Sequence, residues 1–108
     1  MSERDPHAAV EFLIKNAGKF AQAKANRVYI ENFLRSKKSL LMAEIEGSIA
    51  AKEAYAYAHP EYRELLEGLR AAVEAEETLK WKMTAAELSI DVWRSQEASN
   101  RRQERVTT

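Results

Sequence analysis

Cysteine is absent from the 108 residues, proline occurs twice and glycine three times. Without thiols there is no disulfide framework, no thiolate nucleophile and no Cys-ligated zinc or iron–sulfur cluster, and the expected setting is a reducing cytoplasm. Valine and isoleucine together number only ten, against 18 alanines and 15 glutamates, so the chain is poor in the β-branched residues that strands favour. A sheet protein is excluded on that balance. No uncharged apolar run approaches the ~20 residues of a membrane span, and no basic segment followed by an apolar core opens the chain. A protein that neither crosses a membrane nor is secreted is expected.

Catalytic patterns are missing as well. There is no Gly-rich phosphate loop, no pair of histidines at helical spacing and no nucleophile elbow. His7 and His59 each adjoin a proline at a helix start, where turn geometry accounts for them. The acidic run Glu74, Glu76 and Glu77 would hold a divalent ion only if a facing helix added ligands, and none is expected to. The expectation is a non-enzyme with no metal, no cofactor and no small-molecule substrate.

What is present reads as helix. Asp5 can cap an opening turn in which Pro6 loses no hydrogen bond. Val10, Leu13, Ile14 and Ala17 make an apolar face to about residue 16, and the Asn16, Ala17, Gly18 sequence predicts a break or kink. From Lys19 the pattern resumes through Ala23, Ile30, Phe33, Leu34, Leu40, Leu41 and Ile45, ending near Glu46 before Gly47. Ser48 caps a short helix from Ile49 to about Ala58. His59 before Pro60 then ends it and opens the next.

The last helix dominates. Tyr62, Leu65, Leu69, Ala72, Glu76, Leu79, Met83, Ala86, Ile90 and Trp93 alternate steps of three and four without a slip, which is heptad spacing. Such a helix must lie lengthwise on another, and residues 19–46 are the internal candidate of comparable length. The fold predicted is all-α: a long antiparallel helical hairpin with a short N-terminal helix and coiled-coil-like packing. One domain spans 1–108, with 1–5 and 101–108 disordered or frayed. Pairing Ile45 with Glu61 sets Leu41 beside Leu65, Leu34 beside Ala72, and Arg27 near Glu76. Glu76, the only charge on the stripe, then either pairs with Arg27 or reaches water at a loose edge.

Beyond Glu76 the last helix changes character. Trp81, Ala85, Leu88 and Val92 add a second apolar stripe opposite Met83, Ala86 and Ile90. Two covers are open: the first helix, through Val10, Phe12, Leu13 and Ile14, which makes a three-helix core at this end and is the preferred reading, or a second chain, and the two are compatible. Soluble monomers seldom leave a large apolar patch wet, so a protein interface at Trp81, Leu88, Val92 and Trp93 and a homo-oligomer are expected. Charge sums to zero but is uneven: residues 1–39 carry eight Lys and Arg against four acids, 40–93 five against eleven, and 94–108 four against two. A hairpin brings the two basic ends together, so Lys19, Lys24, Arg27, Arg94, Arg101 and Arg102 are the alternative candidates, for nucleic-acid phosphates. Lys24, Arg27, Glu31, Arg35 and Lys38 also read as a solvated helix face, and a pI of 6.8 is far from a committed nucleic-acid binder.

The run HPEYRELLEGLRAAVEAEETLKWKMTAAELSIDVWRSQEASNRR (59–102), preceded by RVYIENFLRSKKSLLMAE (27–44), resembles a group of small proteins of bacteriophage and prophage genomes. Tyr62, the 74–82 stretch and the VWRSQEASNRR ending carry most of the likeness. It covers about three quarters of the chain and includes no catalytic signature. The resemblance implies a phage accessory or adaptor from an early region beside recombination and replication functions, acting on DNA metabolism or on a host factor.

Overall fold

The computed structural model describes residues 5–107, with the side chain of Thr107 left aside, and most of the segment expected to be disordered at the N-terminus lies outside that range. Three helices follow one another: α1 (Pro6–Met42), α2 (Ile49–Ala58) and α3 (Pro60–Thr107). Each start is built as its sequence requires. The Asp5 carboxylate accepts from the His7 amide at 3.0 Å, and the Ser48 hydroxyl oxygen accepts from the Ala51 amide at 3.1 Å. His59 is extended (φ −67°, ψ 135°), as a residue before proline prefers, and its Nδ1 accepts from the Glu61 amide at 3.1 Å.

The break expected at Gly18 is absent: α1 runs through it as one helix of 37 residues, so the short N-terminal helix and the second helix are a single element. Glycine inside a helix costs only about 1 kcal/mol relative to alanine, which packing on one face can offset. Asn16, the other turn-forming residue there, instead donates its amide to the Phe12 carbonyl one turn back, at 2.8 Å. At its far end α1 stops at Met42, four residues short of the expected Glu46. Gly47 takes φ 138°, the only positive φ among the described residues, and turns the chain into α2. The tail read as frayed is helical to Thr107, although every side chain from Asn100 to Val106 is exposed.

Two compact units divide the chain, and α1 packs against α3 as a helical hairpin. In the unit Ala21–Glu77, the buried side chains are Leu34, Leu41, Ala56, Ala72 and Glu76. Glu76 is 7% exposed and accepts from Arg27, through Nε and through Nη2 at 3.3 Å; the Arg27 Nη1 also donates to Glu31 at 2.8 Å. The paired alternative for Glu76 is therefore the one observed. Hydrogen bonding to Glu76, with the charges of Glu76 and Glu31, holds the Arg27 pKa above its ordinary value against the opposing pull of burial. Lys37 Nζ reaches Glu61 Oε1 at 2.9 Å, and Lys38 spans Glu53 at 3.6 Å and the Tyr57 ring at 4.7 Å. Tyr57 stands edge-on to Tyr62, 5.4 Å between centroids. The Tyr55 hydroxyl donates to Glu44 at 2.6 Å, which ties α2 to the end of α1.

Candidate protein-docking surface

The second unit comprises the described residues of Met1–Phe20 and Thr78–Thr108. Its core is thin: Ala9 and Asn16 from α1 and Ala86 from α3 are buried, with Phe12, Leu13, Met83 and Ile90 half-buried around them. Ala8, Ala9 and Phe12 share one groove with Lys82 and Ala86, and Leu13 shares another with Leu88 and Ile90. The α1 segment therefore covers the Ala86 side of α3.

The opposite side of α3 is largely exposed. Successive residues advance about 100° around a helix, so Trp81, Ala85, Leu88 and Val92 fall within an arc of about 60°, turned well away from Ala86. Trp81 is 61% exposed, Leu88 58% and Val92 56%. This overturns a three-helix core at this end. Within this unit Ala8, Ala9, Phe12 and Leu13 line grooves with Lys82, Ala86 and Ile90, so this stretch of α1 lies on that side of α3 and leaves Trp81 and Val92 exposed. Val10 and Ile14, expected to be buried there, are themselves exposed. Trp93, one step past Val92, stands about 100° off the stripe toward the Ala86 side and remains part-exposed, so it belongs to a separate edge. Lys80 places its ammonium 5.8 Å from the Trp81 ring centroid.

The basic candidates are divided between the two units. Lys24 and Arg27 lie in the Ala21–Glu77 unit, whereas Lys19, Arg94, Arg101 and Arg102 lie in the other. Arg27 is occupied by Glu76 and Glu31. Arg94 approaches Asp91 at 3.7 Å and the Arg102 guanidinium donates to the Ser99 hydroxyl at 3.4 Å, while Arg101 is exposed.

A second apolar stripe went unread in the sequence. In the Ala21–Glu77 unit, Tyr29, Phe33 and Leu40 sit on the outer side of α1, with the Tyr29 and Phe33 rings 6.0 Å apart. Phe33 and Leu40 were expected to be buried with Leu34 and Leu41. Each precedes its buried neighbour by one residue, and that 100° step carries it outward. The detectable signal was two interleaved seven-residue repeats, one through Leu34 and Leu41 and the other through Phe33 and Leu40.

Among the described residues no group of three or more His, Cys, Asp or Glu is placed to hold a metal ion. No helix among them is long and apolar enough to cross a membrane. Comparison with protein-family models, with curated proteins and with solved structures found no match.

Proposed function

We propose that this chain is a non-catalytic docking protein that binds another protein through the outer face of α3, with Trp81, Leu88 and Val92 as its apolar contacts. The observation that carries the reading is that three large apolar side chains at steps of seven and four are each more than half exposed on one face of an uninterrupted helix. An amphipathic helix with a second apolar face, laid against a partner, is a recurrent mode of protein recognition. Tryptophan is also enriched where binding energy concentrates. In this reading the chain works in the host cell interior as an accessory to phage recombination or replication, acting on a phage or host factor, which is what its resemblance to phage early-region proteins suggests.

The test is affinity capture from phage-infected cells with the wild-type chain and with Leu88→Glu as baits. Leu88 is exposed, so the variant should keep its helicity, and its retained partners should be lost. Identical capture by both baits refutes the reading.

The alternative, nucleic-acid binding, draws support from the exposed Arg101 and Arg105 on the last helical turns of α3. Phosphate-driven affinity falls steeply as salt rises, whereas an apolar interface responds little. Binding to DNA that drops by orders of magnitude between low and physiological salt would favour this alternative.

A further inference from the structure

Resting on the docking reading above, we infer that the occupant of the α3 face is a second copy of this chain, lying antiparallel. Around Trp81 the exposed face extends in both directions at coiled-coil spacing, through Thr78, Trp81, Ala85, Leu88, Val92, Ser95 and Ser99, all within one unit. That stripe is about 32 Å long at 1.5 Å per residue. Its flanking members Thr78, Ser95 and Ser99 are small and exposed, so a second helix can approach closely.

The sizes along the stripe are matched to their own reversal. With a two-fold axis passing between Ala86 and Glu87, Trp81 faces the partner's Val92, Ala85 faces the partner's Leu88, and Thr78 faces the partner's Ser95. In the two central layers a larger side chain meets a smaller one, which is how helix interfaces fill space evenly, and the small Thr78 and Ser95 meet at the ends. A parallel pair would instead stack Trp81 on the partner's Trp81 and set Ala85 against the partner's Ala85, crowding one layer and leaving a void in the next. The antiparallel flanks are compatible as well. Asp91 meets the partner's Thr84 and Lys82 meets the partner's Ser89, so each charge faces a hydroxyl and no like charges oppose one another. A two-fold interface uses each contact twice, and Trp81 is among the largest side chains available, so this short stripe can approach the roughly 1,000 Å² that a specific interface needs.

Two measurements test this. Sedimentation equilibrium at micromolar concentration should give twice the 12.3 kDa chain mass. Leu88→Glu should weaken association by about 100-fold, because each dimer would then bury two carboxylates. Orientation follows from cross-linking, which is clean because the chain has no cysteine. A tagged Ala85→Cys chain mixed with an untagged Leu88→Cys chain should oxidise mainly to the unlike pair. Predominance of like pairs establishes a parallel dimer and overturns the inference, as does a monomer at every concentration. If the chain is monomeric but its cellular partners still depend on Leu88, only the self-docking inference fails. If capture is also indifferent to Leu88, the docking reading fails with it.

Discussion

The Arg27–Glu76 pair ties α1 to α3, and its two halves should not be energetically equivalent. The Glu76 side chain is 10% exposed, while the Arg27 side chain keeps 24% of its surface open and is shared with Glu31 at 2.8 Å. Glu76→Leu removes the more buried charge. The guanidinium it releases still has Glu31 and water, so the cost should fall below the 3–5 kcal/mol typical of breaking a fully buried pair, at about 1–3 kcal/mol. At about 4 °C per kcal/mol for a chain of this size, the melting temperature should fall by roughly 4–12 °C. Arg27→Leu takes the guanidinium away from a carboxylate that water scarcely reaches, so its melting temperature should fall further. The double variant Arg27→Leu/Glu76→Leu removes both charges and adds apolar volume between the helices. It should recover most of the loss and melt close to the wild-type chain. Thermal and urea unfolding of the four proteins, followed by circular dichroism, measures the cycle. Additive losses, or an Arg27→Leu chain no less stable than Glu76→Leu, would show that Glu76 is not held by Arg27 and that the hairpin register is misread.

The glycines separate by conformation. Gly18→Ala should stabilise by about 0.5–1 kcal/mol, because a Cβ there meets nothing within 4 Å in a helical backbone. Gly47→Ala should destabilise by about 1–2 kcal/mol, because φ 138° is strained for any side chain although a Cβ would meet only Ala51 at an ordinary 3.6 Å; the two melting temperatures moving the same way would contradict this. The hydrogen bond and charge of Lys37 hold the Glu61 pKa below its ordinary 4.5. A depressed carboxylate pKa contributes stability that is complete above pH 4.5 and is lost as pH falls through the folded-state value. The stability difference between wild type and Lys37→Met should therefore be present at neutral pH, shrink on acidification below that point, and diminish with added salt because Glu61 is exposed. A difference independent of pH would assign Lys37 a packing role only.

The parts of the fold that were legible in the sequence are those where one residue type has one local use. Asp5, Ser48 and the His59–Pro60 step each mark a helix boundary through backbone chemistry that needs no tertiary context. The unbroken heptad of α3 required a long partner. The single charge on that heptad, Glu76, called for either a cation or water, and counting back along the hairpin named Arg27 as the cation, the alternative the structure shows. Gly18 was misread because a glycine preference is a tendency of about 1 kcal/mol, and packing along one face of α1 outweighs it. The boundary at Met42 was misplaced for the reverse reason: apolar spacing continues to Ile45, but the chain must turn early enough for Gly47 and Ser48 to start α2.

The exposed surfaces were harder to read, since a hydrophobic residue reports that it needs cover and not which cover it receives. Phe33 and Leu40 satisfy helical spacing with the core as well as Leu34 and Leu41 do. Only the direction in which α3 lies decides which of the two interleaved repeats is buried. The same ambiguity let Val10 and Ile14 be assigned to the Trp81 face, when the α1 stretch around them lines grooves with Ala86 and Ile90 instead. Trp81, Leu88 and Val92 are informative for that reason. Leu88 shares a groove with Leu13, yet all three keep more than half of their surface exposed, which is the surface the proposed partner would cover. Among such covers, the proposed second copy is the one whose side-chain sizes match the stripe in reverse order.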